Sequence, residues 1–142
     1  MERVLRVTVG RCIGCGKCEL ACAFGRGQGR GQGDAQQSPS VHVERRGPER
    51  GIPLLCLQCS DAGCIAACPT QALVRSATTD AIELRRERCV GCRMCIAACP
   101  FGNIVWHAEQ GPEKCDLCGG APRCATFCPT GALSYTASGR QP

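Results

Sequence analysis

Residues 89–100 read CVGCRMCIAACP: four cysteines at spacings of two, two and three, closed by a proline. Cys89, Cys92 and Cys95 offer three sulfurs from consecutive tight turns, wrapped around one small body. Cys99 is displaced by a turn of helix over residues 94–98, which Pro100 cannot continue because it lacks an N–H and clashes with the preceding turn. The pattern recurs along the chain. Upstream lie Cys12, Cys15, Cys18 and Cys22 (two, two, three) and Cys56, Cys59, Cys64 and Cys68 (two, four, three). Downstream lie Cys115, Cys118, Cys124 and Cys128 (two, five, three). Proline follows the last cysteine in three of the four runs, and all sixteen cysteines are used, so the chain is an internal repeat.

Cysteine makes up 16 of 142 residues, whereas aromatic residues are only 4%. A chain so poor in large side chains needs something else to fill its interior: disulfides, zinc sites or iron–sulfur clusters. The opening residues MERVLR are charged early and carry no signal-like apolar run, and no stretch elsewhere is long enough to span a bilayer. The expectation is a soluble protein with no membrane span, made in the reducing cytoplasm, where disulfides are disfavoured. Structural zinc sites combine two separated Cys-x2-Cys pairs. The second and fourth runs take that form in isolation; the first and third do not.

A cubane [4Fe–4S] cluster takes one thiolate per iron. Cys-x2-Cys-x2-Cys supplies three, and in two-cluster ferredoxins the cysteine before proline reaches the neighbouring cluster. Backbone N–H groups of such a loop face the cluster and stabilise its negative charge, and Gly14, Gly16 and Gly91 permit the close approach. Sixteen ligands predict four [4Fe–4S] clusters. With that ligand count complete, His42 and His107 read as solvated or strand residues.

The formal charge of +5 counts every cysteine as neutral. Each cluster with its four thiolates carries about −2, so four add roughly −8 and leave a total of about −3. The apparent basicity is then charge compensation rather than a sign of nucleic acid. Fifteen of the seventeen basic residues are arginine, which reads either as hydrogen bonding near anionic clusters or as codon bias in a GC-rich genome. Residues 25–39, GRGQGRGQGDAQQSP, have no aromatic residue for base stacking and read as a flexible loop. They also fail the strand-then-helix context of a phosphate-binding glycine loop. No nucleophile–base constellation is visible, so the function expected is one-electron relay without substrate chemistry. Arg93, inside the third loop, reads either as a charge that raises a local potential or as a solvated residue.

Short strands are predicted at residues 4–9, 104–107 and 132–136, and a hairpin from 72–75 and 81–84 around residues 76–80. Residues 65–67 form a single helical turn like 94–98.

Six phrases carry a family resemblance: CIGCGKCELAC (12–22), PLLCLQC (53–59), CVGCRMC (89–95), CPFG (99–102), KCDLC (114–118) and CPTGAL (128–133). The chain resembles the four-cluster, ferredoxin-like electron-transfer subunits of multi-subunit oxidoreductases. These include the iron–sulfur subunits of dimethyl sulfoxide reductase, formate dehydrogenase, formate hydrogenlyase and carbon monoxide dehydrogenase-linked hydrogenase. The likeness spans nearly the whole chain except residues 25–39 and the last few. The near-minimal length favours small polyferredoxin subunits, similar to that of NAD-linked tungsten or molybdenum aldehyde oxidoreductases.

The resemblance implies an α+β fold of tandem nested two-cluster ferredoxin-like units, short strands and single helical turns wrapped around four [4Fe–4S] clusters. The outer unit would be 1–24 with 101–142, the inner unit 41–100, and 25–40 a Gly-rich loop between them. The implied ligand sets are Cys12, Cys15, Cys18 and Cys128; Cys115, Cys118, Cys124 and Cys22; Cys56, Cys59, Cys64 and Cys99; and Cys89, Cys92, Cys95 and Cys68. The implied partners are a tungsten or molybdenum pterin catalytic subunit and a flavin, NAD-linked or ferredoxin electron partner. Two rivals stay open: an independent soluble polyferredoxin, and a hydrogenase- or formate-linked subunit. A linear run of clusters open at both ends would serve one copy between two partners, or copies stacked head to tail into a filament.

Overall fold

The two ends of the chain pair with each other. In the computed structural model, which describes residues 3–28 and 38–137, β1 (Arg3–Val7) runs antiparallel to β8 (Leu133–Ala137), with Leu5 opposite Tyr135 and Val7 opposite Leu133. These are the strands expected before the first run and after the last. Between them come α1 (Lys17–Gln28), β2 (His42–Arg45), β3 (Gly51–Leu54), α2 (Gly63–Ala67), β4 (Leu73–Arg75) and β5 (Ile82–Leu84). They are followed by α3 (Met94–Ala98), β6 (Val105–His107), β7 (Gly111–Glu113) and α4 (Arg123–Thr126). The fold is mixed α+β, as expected.

Contacts divide the chain into two units, Met1–Leu55 with Ala121–Pro142, and Cys56–Gly120. The sequence places an outer unit at 1–24 with 101–142, an inner unit at 41–100 and a Gly-rich loop at 25–40. In the first unit the β2–β3 hairpin is tied to the first cysteine run: the Gly51 N–H donates to the Cys12 carbonyl at 3.2 Å. In the second, Arg86 donates to the Gln110 carbonyl and to Glu113 Oε2, which joins the β6–β7 hairpin to the segment after β5.

Each unit holds two two-stranded antiparallel ribbons and two short helices: β1–β8, β2–β3, α1 and α4 in the first; β4–β5, β6–β7, α2 and α3 in the second. Among the described residues no sheet exceeds two strands. Such ribbons are marginal in water by themselves, so their support must come from what they pack on. In the first unit the buried cluster is Cys18, Cys22, Val41, Val43, Leu55, Cys124 and Leu133, three of seven being cysteine. In the second it is Ala62, Cys64, Leu73, Ile82 and Ile104, with Cys59, Cys95 and Cys99 packed against it. Cysteine thus takes the place of larger apolar side chains.

Helix α1 departs from expectation. It continues through Gln28, into the stretch read as a loop from residue 25; residues 29–37 lie outside those described. Gly25 has a packing reason, since a Cβ there would come within 2.8 Å of the Arg123 side chain on α4. The β2–β3 and β6–β7 hairpins were not anticipated. Each contains a proline, Pro53 opposite Val43 and Pro112 opposite Trp106. Proline weakens the strand signal, yet a two-stranded ribbon consists only of edges, where proline is tolerated.

Candidate iron–sulfur cluster sites

The cysteine loops share a backbone device. Counting from the first cysteine of each run, the second and fourth residues after it turn left-handed. In the first run these are Gly14 (φ 71°) and Gly16 (φ 74°), and in the third Gly91 (φ 73°) and Arg93 (φ 63°). In the second run Gln58 (φ 50°) takes the first of these positions; in the fourth Leu117 (φ 56°), Cys118 (φ 51°) and Gly119 (φ 70°) take both and the residue between. Alternation of right- and left-handed residues curls successive N–H groups toward one concave side, an anion-binding nest. For non-glycine residues this conformation costs roughly 1–2 kcal/mol each. Glycine at two loops was legible in sequence; the same geometry at Gln58, Arg93 and Leu117 was not.

The cysteines before proline are prepared differently. Cys68 Sγ accepts the Ala72 N–H at 3.2 Å and lies 3.7 Å from the Thr70 hydroxyl. Cys128 Sγ accepts the Leu133 N–H at 3.5 Å and lies 3.8 Å from the Thr130 hydroxyl. Burial pushes the Cys68 thiol upward, but the Ala72 N–H, the Thr70 hydroxyl and further N–H groups outweigh it and bring it down to about 7. At Cys128 burial is likewise outweighed by the N–H groups of Leu133 and Thr130 and the Thr130 hydroxyl, and the thiol is lowered. Thr70 and Thr130 were missed in the sequence, although the recurrence of Cys-Pro-Thr was their signal. The inner cysteines behave oppositely: burial pushes Cys18 up to about 11 and also raises Cys64 and Cys95.

In the second unit the structure brings distant runs together. One cavity is lined by Cys89, Cys92 and Cys95 and also by Cys68, with Val90 and Trp106. The Arg93 guanidinium lies 4.2 Å from the centroid of the Trp106 ring, so Arg93 is neither buried nor simply solvated but stacked on the cavity's aromatic wall. Beyond burial, Cys56 and Cys99 raise the Cys64 thiol, and Cys89 and Cys68 raise that of Cys95. In the first unit Cys12 and Cys128 pack against the core that contains Cys18, while Cys15 is exposed. Cys22 and Cys124 are buried in this unit; Cys115 and Cys118 fall in the second.

All sixteen cysteines lie among the described residues, and none is disulfide-bonded. Among the described residues no three Cys, His, Asp or Glu side chains converge tightly enough for a single metal ion; a cubane, with one thiolate per iron, spreads its ligands wider. His42 begins β2 and His107 ends β6, both strand residues as read. The thiol donor set, the N–H-lined loops and the four-cysteine cavity fit [4Fe–4S] clusters.

Known proteins carry the same organisation. A protein family described as a 4Fe–4S dicluster domain matches residues 50–138, and a second family of that description matches 11–72. The chain is 36% identical to the putative oxidoreductase UacF of Escherichia coli K12 over 94% of its own length, but spans only 21% of UacF. It is 35% identical to the polyferredoxin-like subunit of an aliphatic sulfonate oxidoreductase of Pyrococcus furiosus, across 89% of this chain and 72% of that subunit. Among solved structures, the active-site complex BamBC of benzoyl coenzyme A reductase aligns with a TM-score of 0.50 at 25% identity, over 99% of this chain and 82% of that one. Since one of the two families matches more than half of the 142 residues, and the other takes up the remaining cysteine run at the N-terminal end, the chain belongs to the 4Fe–4S dicluster domain family.

Proposed function

We propose that the chain is an electron-transfer subunit of a multi-subunit oxidoreductase, relaying single electrons through four [4Fe–4S] clusters. The observation that carries this reading is the cavity in which Cys68, from the second run, joins Cys89, Cys92 and Cys95 of the third. A shared ligand of this kind ties two runs into a two-cluster unit. The sets within single units are Cys12, Cys15, Cys18 and Cys128; Cys56, Cys59, Cys64 and Cys99; and Cys68, Cys89, Cys92 and Cys95. The remaining Cys22, Cys115, Cys118 and Cys124 complete the sixteen. Bound there, a [4Fe–4S] cluster supplies reversible one-electron transfer.

The chain's own residues do the rest. The loops carry left-handed residues that curl N–H groups to one side, and Cys18, Cys64 and Cys124, the third cysteines of their runs, are buried. Cys15, Cys92 and Cys118, the middle ligands of their loops, are exposed and offer routes in and out. Exposed apolar side chains stand beside them, Ile13 at 44% and Val90 at 67%, as an interface with a redox partner requires. The partners we infer are a tungsten or molybdenum pterin catalytic subunit and a flavin or ferredoxin partner. The name of the Pyrococcus furiosus relative supports membership of an oxidoreductase complex. Sixteen thiol ligands call for a reducing compartment, the cytoplasm. No described helix is long and apolar enough to cross a membrane.

Anaerobically purified protein should contain about sixteen iron and sixteen sulfide per chain and copurify with a catalytic subunit in fixed ratio. Cys68→Ser should perturb the spectroscopic signal that Cys92→Ser perturbs, and not that of Cys59→Ser. Damage confined to the Cys59 signal would break the shared ligation.

A further inference from the structure

The chain has only two lysines, and one of them, Lys114, is buried in the second unit at 7% exposure. An ammonium taken out of water is costly unless its donors are met. Here the Nζ donates to the Ile82 carbonyl at 3.1 Å and to the Cys115 carbonyl at 2.9 Å. The neighbouring Glu113 carboxylate is engaged by Arg86 at 3.2 Å.

Gln58 grips the same two residues. Its Nε2 donates to the Cys115 carbonyl at 2.9 Å, and its Oε1 accepts the Ile82 N–H at 2.8 Å. Gln58 lies between Cys56 and Cys59, in the left-handed conformation (φ 50°). Ile82 is 1% exposed and packs in the core that contains Cys64, with Cys59 and Cys99 against it. The ammonium is therefore pinned to the backbone of Ile82, in the core that carries Cys59, Cys64 and Cys99, and to that of Cys115, away from solvent.

A fixed charge in a low-dielectric interior acts on a neighbouring electron far more strongly than one in water. Arg93, the cation beside the other cysteine set of this unit, is exposed and subject to screening. We propose that Lys114 is a potential-setting residue: held by the Ile82 and Cys115 carbonyls, its charge makes the cluster on Cys56, Cys59, Cys64 and Cys99 easier to reduce than its neighbour on Cys68, Cys89, Cys92 and Cys95. This rests on the ligation proposed above. An electron supplied by the partner redox subunit would settle preferentially on the Lys114 side of the unit, with no bond made or broken.

The test is a redox titration of the anaerobic holoprotein, with dithionite as reductant and paramagnetic resonance as readout. Wild type, Lys114→Gln, Lys114→Met and Lys114→Arg are compared, and Cys64→Ser identifies the relevant signal. With wild-type iron and sulfide, Lys114→Gln should shift one midpoint downward, that of the signal altered by Cys64→Ser. Lys114→Arg, which keeps the charge, should retain the wild-type value. Unchanged midpoints in an iron-replete Lys114→Gln or Lys114→Met protein would overturn the proposal. So would loss of iron from every Lys114 variant, which would make the residue structural. A wild-type protein lacking sulfide would fail the ligation reading instead.

Discussion

The Ala72 N–H donates to Cys68 Sγ at 3.2 Å, on the last turn before β4. The Leu133 N–H meets Cys128 in the same way at 3.5 Å, at the start of β8. Each strand therefore begins by stabilising the thiolate that precedes it. The threonine two residues after each cysteine adds a hydroxyl. Hydrogen bonds to ligating sulfur raise a cluster's potential. Thr70→Val should keep full iron and lower one midpoint, that of the signal altered by Cys68→Ser, while Thr70→Ser should restore it. Equal midpoints in all three proteins would deny the hydroxyl this role.

Trp106 walls the cavity of Cys68, Cys89, Cys92 and Cys95, and a Cβ on Gly91 would already touch its ring at 3.4 Å. Trp106→Ala opens that wall. Visible absorption should bleach faster in air, through faster loss of one cluster rather than of all. Arg93→Gly should change stability by no more than about 1.5 kcal/mol, because relief of a left-handed arginine, roughly 1–2 kcal/mol, is partly offset by a lost exposed cation–π contact of about 0.5–1 kcal/mol. Visible absorption in air checks Trp106→Ala, and chemical denaturation checks Arg93→Gly.

Gly51 lies against backbone as well as side chains in the first unit. A Cβ there would stand 2.7 Å from Val43 Cγ1, 2.9 Å from the Gly14 Cα and 3.0 Å from Cys12 Sγ. The Gly14 backbone cannot rotate aside. Gly51→Ala should cost roughly 1–3 kcal/mol, the usual range for overpacking, and lower the iron content through the Cys12 loop. Gly10→Ala, where nothing lies within 4 Å, is the control and should be neutral. Iron analysis and denaturant midpoints distinguish them.

Removing the metal should unfold the chain. Three of the seven buried residues in the first core are cysteines, and every ribbon is two-stranded. Cluster–thiolate bonds then supply what a small apolar core does not. Anaerobic chelation should abolish the circular dichroism of the folded state in one cooperative step. Retained dichroism in a cluster-free sample would show that the ribbons stand without it.

By itself the sequence determined the four cysteine runs and the local shape around them. Cys-x2-Cys turns are governed by sterics within a few residues, so Gly14, Gly16 and Gly91 announced left-handed corners, and Pro100 announced the end of α3. The end strands were legible because VLRVTV and ALSYT are short apolar-rich runs with strand formers. The tertiary structure decided the rest. Gln58, Arg93 and Leu117 adopt the glycine-like conformation because the surrounding contacts outweigh its cost: Gln58 is anchored to Ile82 and Cys115, and Arg93 to Trp106. Nothing local in QAL or KCD says that Cys68 will face Cys92 or that Lys114 will be buried. Those outcomes require closing the chain over twenty to fifty residues, and they depend on which carbonyls and sulfurs happen to meet when the ribbons pack.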